Sequence, residues 1–336
     1  MRILLIKLGA LGDVLRTTPL LAGLRKKYAS ARIHWLVAPE NREVLRGNPI
    51  IERLWVLGEE GALARETYDL AINLDKEPEA LDAVMSADAG KKMGFGRAAD
   101  GTLCALDGKS EYARRLGLDD ELKFRLNQKT YQEISFEQAG LVFQKEEYLM
   151  PMDAETLSFA KNFLEAAGVL RWKRPVIGLN TGSGSRFAGK RLPVSAFTLL
   201  AERLHGELGA TVLLLGGKDE IERNRAIQSI ASCPVVNTGS HPIRRFAGIV
   251  KECDAVLSGD TTAMHVAIAM KVPVVAYFAS TCASEIELYG RGRKIVSSIA
   301  CSPCYKKTCP IDERCMKDMS PGELFGAVRE VLKGAP

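Results

Sequence analysis

Short apolar runs alternate with segments of helical periodicity along the whole chain of 336 residues. In the first half, runs rich in Ile, Leu and Val predict strands at 2–7, 32–37, 53–57, 69–74 and 92–95, with helices reaching residue 28 and covering 77–87. In the second half, the same pattern predicts strands at 176–180, 211–215, 255–257 and 272–277, and helices at 194–208, 243–250 and 321–332. Strands that alternate with helices indicate βαβ units and parallel sheets.

The length of the chain favours two domains, because single cores seldom grow this large. Between Asp100 and Leu149 the pattern is polar and helical with few strand signals, so we place the boundary after it, near 151–173. The prediction is an α/β protein with two Rossmann-like, doubly wound domains, 1–155 and 156–336, that face an interdomain cleft. Ligands of such sheets bind outside the carboxyl ends of the strands.

Composition excludes several classes of protein. No apolar run approaches the roughly 20 residues that a membrane-spanning helix needs. Lys7 interrupts the apolar N-terminus too early for a signal peptide, which favours a buried first strand and a cytoplasmic protein. The net charge of +5 suits an anionic partner or an ordinary mixed surface. Without a dense Lys/Arg stripe interleaved with aromatic residues, no nucleic-acid partner is expected.

Four polar, glycine-containing segments each follow a predicted strand. In the first, Gly9–Asp13, the glycines permit a tight turn. Asp13 either caps the next helix or presents a carboxylate that accepts a proton. In the second, Asn180–Ser185 leads to Gly189–Arg191, where hydroxyl groups and the charge of Lys190 suit a phosphate, although a solvated surface loop has the same composition.

The other two segments follow strands of the second half. In Gly216–Glu220, an acid is placed where Rossmann domains hold ribose hydroxyls, although acids at helix starts are common without function. The segment Ser258–His265 predicts a helix start near Thr261, where free N–H groups and the helix dipole favour an anion. Thr261 and His265 share one helix face, and with Asp260 beside them we favour a pyrophosphate and sugar site.

Together these segments resemble glycosyltransferase family 9, the heptosyltransferase family, which has the GT-B fold. The matching stretches are ILLIKLGALGDVLRTTPLLAGLR, NTGSGSRFAGKRLP, LLGGKDE and SGDTTAMHVAIAMKVPVVAYFAST. The resemblance spans nearly the whole chain, and its most specific parts are the N-terminal Gly-Asp turn and the Asp-Thr-x-x-x-His helix start. The stretch CSPCYKKTCPIDERCMKDMS resembles a tail found in a subset of the family.

The resemblance implies an inverting transfer of heptose from ADP-heptose to the inner core of lipopolysaccharide. It implies a general base at Asp13 and neutralisation of the leaving diphosphate by Lys190. Donor binding would use Thr181, Ser183, Lys190, Gly216, Glu220, Asp260, Thr261, Thr262 and His265. By position alone, Lys7, Gly12 and Arg97 are candidates for the acceptor, which would lie at the inner-membrane surface.

Two residues depart from the family pattern, which makes the identity of the donor less certain. Thr262 stands where many members have Gly, and Leu192 where Trp is common. The sequence contains no Asp-x-Asp motif, so a carboxylate-held divalent metal is not expected and catalysis would need no cofactor. A helix N-terminus with Lys190 suits the charge that develops on a departing diphosphate.

The spacing Cys-x2-Cys-x4-Cys-x5-Cys at Cys301, Cys304, Cys309 and Cys315 suits tetrahedral zinc in a structural role. Iron–sulfur ligation, disulfides and free thiols remain alternatives. For the function, the alternatives are a transferase or epimerase that uses another nucleotide sugar, and a non-catalytic nucleotide-binding module. A dehydrogenase is disfavoured because no strand-to-helix turn matches the dinucleotide fingerprint.

Overall fold

The computed structural model describes residues 1–169, 175–183 and 190–334, and the chain divides into two compact units. Unit 1 consists of Met1–Pro151 and Ser284–Glu287, and unit 2 of Met152–Ala283 and Leu288–Pro336. The break after Pro151 lies close to the boundary expected after residue 155. We did not expect Ser284–Glu287 in unit 1, because this segment interrupts the second half of the sequence.

Unit 1 contains a six-stranded sheet with the order β3-β2-β1-β4-β5-β6. All neighbours are parallel except β6, which pairs antiparallel with β5. Its strands are β1 Arg2–Ile6, β2 Arg32–Val37, β3 Ile51–Val56, β4 Thr67–Asn73, β5 Asp88–Arg97 and β6 Leu103–Ala105. Its helices are α1 Leu11–Thr17, α2 Pro19–Lys27, α3 Arg42–Leu45, α4 Glu60–Leu63, α5 Pro78–Ser86, α6 Glu111–Arg115 and α7 Tyr131–Gln138, with a π-helical turn at Leu122–Leu126 and a 3-10 turn at Pro39–Asn41.

Unit 2 contains a second six-stranded sheet, fully parallel, with the order β12-β11-β10-β7-β8-β9. Its strands are β7 Val176–Asn180, β8 Thr211–Leu215, β9 Val235–Asn237, β10 Ala255–Gly259, β11 Val274–Phe278 and β12 Gly292–Val296. Its helices are α8 Ala154–Ala166, α9 Val194–Leu208, α10 Ile221–Ile230, α11 Ile243–Lys251, α12 Thr262–Ala269, α13 Arg314–Lys317 and α14 Pro321–Lys333, with a 3-10 turn at Lys218–Glu220.

Both sheets are doubly wound, so the predicted fold class is confirmed. The central strands are apolar runs buried on both faces, as in β1 and β10, because helices cover both sides of a parallel sheet. In each unit the direction of winding reverses at one place, between β1 and β4 in unit 1 and between β7 and β10 in unit 2. Such a switch point leaves a crevice at the carboxyl ends of its two strands, where ligands of this fold bind.

Several elements differ from the prediction. The single helix expected up to residue 28 is two helices, because Pro19 cannot donate the hydrogen bond that would continue α1 and instead begins α2. The segment expected to be a linker contains α8, whose first turn is capped by the Asp153 carboxylate accepting from Thr156 N at 2.8 Å. The short strands β6, β9 and β12 were not predicted. The first turn of α14 is capped by Ser320, whose Oγ accepts a hydrogen bond from Glu323 N.

No helix in the described ranges has the length and apolar character required to cross a bilayer.

Candidate active site

The switch point of unit 1 is held together by Asp75, which follows β4. Its buried carboxylate accepts hydrogen bonds from the backbone N–H groups of Leu8 at 3.0 Å and Gly9 at 2.6 Å. These bonds fix the turn after β1 against the end of β4. There is little room in this turn, because a Cβ on Gly9 would lie 3.2 Å from Asp75 Oδ2 and from the Cβ of Asp13. The turn that leads from β1 into α1, where Asp13 lies, is therefore tightly packed.

Lys7 is a buried cation at this switch point. Its Nζ lies 3.4 Å from Asp75 Oδ2 and donates to the carbonyl oxygen of Leu74 at 3.2 Å. Burial opposes the charged form, but Tyr131, Asp13 and Asp75 outweigh it and raise the pKa of Lys7 to about 12. Because only 6% of Lys7 is exposed, its ammonium stabilises the end of β4 through Asp75 and Leu74 and does not form part of the surface.

Asp13 does not cap α1. The N-cap residue is Ala10, and Asp13 lies in the first turn. Its carboxylate instead pairs with Arg16 one turn later, Oδ1 to Nη2 at 2.8 Å, and remains 34% exposed. Arg16 Nη1 also lies 3.7 Å from Glu285 Oε2, and the guanidinium stacks 3.9 Å from the centre of the Tyr131 ring. A partly exposed carboxylate of fixed orientation therefore stands at the switch point.

The two other acceptor candidates are placed differently. Gly12 is buried within α1. Arg97, at the end of β5, pairs with Asp82 at 2.7 Å and donates to the carbonyl oxygens of Gly101 and Pro78. It belongs to this surface network rather than to the ion pairs around Asp13.

The switch point of unit 2 is held together by the amide of Asn180, at the end of β7. Its Nδ2 donates to the Gly182 carbonyl oxygen at 2.9 Å and lies 3.1 Å from both Ser258 Oγ and Thr261 Oγ1. Thr261 is the N-cap of α12, yet its side chain accepts no hydrogen bond from the first turn. The backbone N–H groups of that turn are therefore aimed outward from the helix start, as an anion site requires.

Lys190, Asp260 and His265 form one chain of polar side chains beside this helix start. Lys190 Nζ lies 3.5 Å from Asp260 Oδ2 and donates to the Asp260 carbonyl oxygen at 3.2 Å. His265 Nε2 lies 3.8 Å from Asp260 Oδ1. The three side chains are 6% to 20% exposed, so the Lys190–Asp260 ion pair lies in a partly desolvated setting. Thr262, which begins α12, is exposed, whereas Leu192 is fully buried in the core of unit 2.

Glu220, after β8, carries a buried oxygen with no described partner. Its Oε2 accepts from Gly217 N at 2.8 Å, whereas Oε1 accepts nothing among the described residues, although only 6% of the residue is exposed. The side chain fills space left by two glycines. A Cβ on Gly182 would lie 1.9 Å from Oε1, and one on Gly216 would lie 2.5 Å from the Glu220 Cβ. A buried carboxylate oxygen of this kind calls for a donor such as a sugar hydroxyl.

The loop after β7 is only partly available to a ligand. Thr181 is fully buried, and its hydroxyl lies 2.5 Å from Asn224 Oδ1, so it is engaged within the protein. Ser183 is half-buried, whereas Gly184–Gly189 of the predicted phosphate loop lie outside the described residues. Arg223 on α10 binds both ends of this loop, donating to the carbonyl oxygens of Thr181 at 2.8 Å and of Leu192.

The four clustered cysteines lie in the segment that follows β12. Cys301 is exposed, the other three are half-buried, and none forms a disulfide. Burial raises the pKa of the Cys315 thiol, and the nearby thiols of Cys309, Cys301 and Cys304 raise it further. The thiols are therefore close in space, although the described residues contain no group of three or more His, Cys, Asp or Glu side chains arranged to hold a metal ion.

The sequence analysis did not single out Asp75, Arg16 or Arg223, nor Lys76, which follows Asp75. Arg16 lies three residues after Asp13, and this helical spacing would have indicated the pair. Asp75 and Lys76 lie two and three residues after β4, in a polar segment without the glycine that the four selected segments share. Arg223 carries no comparable signal, because its role depends on how α10 packs.

The two doubly wound sheets define a protein of the GT-B class. The fold is similar to a glycosyltransferase family 9 structure from Veillonella parvula, with a TM-score of 0.81 and 20% identity over 99% of this chain and 97% of that one. It is also similar to E. coli ADP-heptose lipopolysaccharide heptosyltransferase II, with a TM-score of 0.71 and 19% identity over 99% of each chain. For an E. coli heptosyltransferase solved with ADP, the TM-score is 0.65 and the identity 16%, over 100% of this chain and 99% of that one.

The family model for glycosyltransferase family 9 (heptosyltransferase) matches residues 60–314. The chain therefore belongs to glycosyltransferase family 9, and the resemblance noted in the sequence is confirmed.

Curated relatives agree with this membership. Lipooligosaccharide heptosyltransferase 2 of Campylobacter jejuni is 30% identical over 175 residues, which cover 50% of this chain and 54% of that protein. The match thus spans about half the length of this relative. Lipopolysaccharide heptosyltransferase 1 of Pseudomonas aeruginosa is 27% identical over 92% of this chain and 87% of that protein.

Proposed function

We propose that this protein transfers a heptose from ADP-heptose to an inner-core sugar of lipopolysaccharide, with inversion at the anomeric carbon. The observation that carries the proposal is the uncapped start of α12 beside Lys190 in unit 2. Family membership supports the heptosyl group, and the ADP bound by one structural relative supports the nucleotide. On this proposal the acceptor binds unit 1, and the protein works in the cytoplasm at the surface of the inner membrane.

In the proposed reaction, an acceptor hydroxyl attacks the anomeric carbon from the face opposite the diphosphate. The bond from that carbon to the phosphate oxygen breaks, and ADP leaves with the electron pair. Lys190 and the first-turn N–H groups of α12 stabilise the negative charge on the departing phosphate, a type of stabilisation that is usually the largest contribution to catalysis. Asp260 holds the Lys190 ammonium in place through an ion pair.

Asp13 is the proposed general base, which takes the proton from the acceptor hydroxyl as the new bond forms. The ion pair with Arg16 fixes the orientation of the carboxylate, and its 34% exposure leaves it accessible to a substrate. Glu220 is the proposed partner of the adenosine ribose, because its buried Oε1 is ready to accept from a hydroxyl. Ser183, Thr261, Thr262 and His265 complete the proposed donor site.

The test is an assay of the purified protein with a panel of nucleotide sugars and truncated lipopolysaccharide acceptors. We expect release of ADP from ADP-heptose only when an acceptor is present. Release at the same rate without an acceptor would contradict transfer and favour an epimerase or hydrolase. Turnover with a different nucleotide sugar alone would overturn the assignment of the donor.

The role of Asp13 is tested by Asp13→Asn, with Asp120→Asn as the control at an exposed acid of the same unit. Removing a general base lowers kcat by about 10²–10⁴-fold, whereas ADP affinity should stay within about twofold because the nucleotide binds the other unit. An Asp13→Asn variant that transfers heptose at the wild-type rate would reject this assignment.

We also propose that the four clustered cysteines bind a structural zinc ion. The support for a tetrahedral thiolate site is the short spacing of the four cysteines in the sequence. Elemental analysis of protein purified without chelators should find about one zinc per chain, and Cys309→Ser should lose it. Iron in place of zinc, or no metal at all in protein that retains free thiols, would contradict the proposal.

A further inference from the structure

Lys76 lies at the switch point of unit 1, directly after Asp75 at the end of β4. Although much of this residue is exposed, its ammonium group turns inward. Its Nζ donates to the Ala113 carbonyl oxygen at 3.2 Å and lies 4.8 Å from the centre of the Phe95 ring. Gly117 makes room for it, since a Cβ there would lie 2.3 Å from Nζ.

This ammonium is held without a countercharge in contact. Within the described part of the chain, no Asp or Glu oxygen forms an ion pair with Lys76, whereas the neighbouring Lys7 has Asp75 and Arg16 has Asp13. Burial, followed by the positive charges of Lys123 and Lys7, lowers the pKa of Lys76 to about 8, against the weaker opposing pull of Glu285 and Asp75.

The Lys76 ammonium donates to one neutral carbonyl oxygen and lies near the Phe95 ring, and the positive charges of Lys123 and Lys7 add a cost in free energy to its charged form. An anionic ligand would offset this cost by supplying the missing countercharge. The location also fits a ligand. Lys76 and Asp13 follow the two strands between which the winding reverses, so both lie at the edge of the sheet where ligands of this fold bind.

We propose that Lys76 determines acceptor specificity by pairing its ammonium with a carboxylate or phosphate group on the acceptor sugar. This inference rests on the proposed function, because it takes Asp13 as the base and unit 1 as the acceptor domain. Lys76 then orients the acceptor hydroxyl towards Asp13, and it is a binding rather than a proton-transferring group. It takes the role that Lys7 and Arg97 were expected to fill from their positions in the sequence.

The first test measures the anion site without catalysis. Lysines of the full-length protein are acylated with acetic anhydride over a pH series and quantified by peptide mass spectrometry, with no added anion, with inorganic phosphate, or with acetate. We expect the labelling midpoint of Lys76 near pH 8 and a rise of about one pH unit with a bound anion. The exposed Lys91 is the control, and its midpoint should not move.

The two anions separate the two sources of charge. A rise with phosphate alone assigns a phosphorylated acceptor, a rise with acetate alone assigns a carboxylate, and a rise with both supports an anion site without preference. If the labelling midpoint of Lys76 stays the same at every concentration of phosphate and of acetate, the proposal is rejected.

The second test compares the acceptor KM of wild type, Lys76→Gln, Lys76→Arg and the control Lys91→Gln. Loss of a charge-assisted bond to the acceptor should raise its KM at least about tenfold in Lys76→Gln. The donor KM and the melting temperature should remain unchanged, and Lys76→Arg should recover part of the loss. A residue with only a structural role would instead lower the melting temperature and leave the acceptor KM near its wild-type value.

Because only protonated Lys76 binds an anion, the wild-type acceptor KM should rise above about pH 8, and that of Lys76→Gln should not. The two proposals fail in different ways. If wild type transfers heptose and Lys76→Gln keeps its acceptor KM, only the role of Lys76 is wrong. If wild type transfers nothing, the proposed function fails, and the acylation experiment still reports on the anion site.

Discussion

The switch points of the two sheets have the same topology and opposite chemistry. Each is tied together by one buried side chain, Asp75 in unit 1 and Asn180 in unit 2. Around Asp75 lie full charges, with the pairs Lys7–Asp75 and Arg16–Asp13. Around Asn180 lie hydroxyls, backbone and glycines. Unit 1 thus fixes the proposed general base with full charges, whereas in unit 2 the described contacts of Asn180 are with hydroxyl and carbonyl groups, and the Lys190–Asp260 ion pair lies beside the start of α12.

Within unit 2, this contrast predicts the largest effect at Lys190, the cation held beside the start of α12. Lys190→Met should lower kcat by about 10²–10³-fold, because it removes stabilisation of charge in the transition state. Steady-state kinetics of ADP release would measure it. The matched control is Lys251→Met, an exposed lysine in the same unit that should keep wild-type kinetics. A loss confined to donor KM would mean that Lys190 only binds the ground state.

The next effect concerns stability rather than turnover. Lys7→Met leaves the Asp75 carboxylate buried without its cation and should lower the free energy of unfolding by about 3 kcal/mol. Lys129→Met, which removes an exposed ion pair with Glu137, should cost about 0.5 kcal/mol. Urea unfolding at pH 7 measures both. Equal costs for the two variants would show that the unit 1 switch point does not depend on its buried charge.

The pH dependence of the Lys7 effect has a definite sign. Its pKa is raised from 10.5 to about 12 in the folded protein, so the stabilisation is complete below pH 10.5 and is lost as the pH rises through 12. The difference in unfolding free energy between wild type and Lys7→Met should therefore shrink over that interval. A difference that stays constant from pH 9 to pH 12 would contradict the assigned shift.

Glu220→Gln should weaken ADP binding about tenfold, because it removes one charge-assisted hydrogen bond. Calorimetry with ADP, 2′-deoxy-ADP and 3′-deoxy-ADP locates the bond, because the analogue that lacks the relevant hydroxyl should bind both proteins alike. Glu222→Gln on the exposed face of α10 is the control. If Glu220→Gln weakens all three ligands equally, the buried oxygen does not bind the ribose.

The smallest effect is expected from chelation. Turnover measured immediately after addition of excess EDTA should change by less than about twofold, because Lys190 and the start of α12 supply the electrostatic stabilisation that a metal gives in other transferases. Loss of activity that only Mg²⁺ restores would show that unit 2 needs a metal as well as Lys190.

The sequence predicted the fold class and the strands that the four polar segments follow, which are β1, β7, β8 and β10, because strand periodicity depends on local pattern. It could not predict what each side chain does there. Asp13 fitted a helix cap as well as a free carboxylate, and only the position of Arg16 and the start of α1 at Leu11 decide against the cap. Thr181 was chosen as a phosphate contact, yet its hydroxyl is engaged by Asn224 from a distant helix.

The role of Lys7 was also not predictable from the sequence. Its position at the end of the first strand suggested a contact with the acceptor, whereas burial and the carboxylate of Asp75, which is 68 positions away in the sequence, determine its environment. The missed helix α8 is a different case, since Asp153 and Thr156 are a local capping signal that was available in the sequence. The prediction for Lys7 was limited because its partner is distant in the sequence. The prediction for α8 was limited because a local capping pattern was not used.

The assignment of Ser284–Glu287 to unit 1 bears on any attempt to produce this domain alone. A fragment that stops at Pro151 would lack the Glu285 carbonyl oxygen that accepts from Tyr131 N at 2.9 Å, and the carboxylate beside Arg16. Tyr131 could then shift at the start of α7. The Arg16 guanidinium would lose the Glu285 carboxylate and its fixed contact with the Tyr131 ring. A truncated N-terminal half is thus a poor surrogate for measuring acceptor binding, and a chimera that exchanges domains at residue 151 should carry residues 284–287 along with the first part.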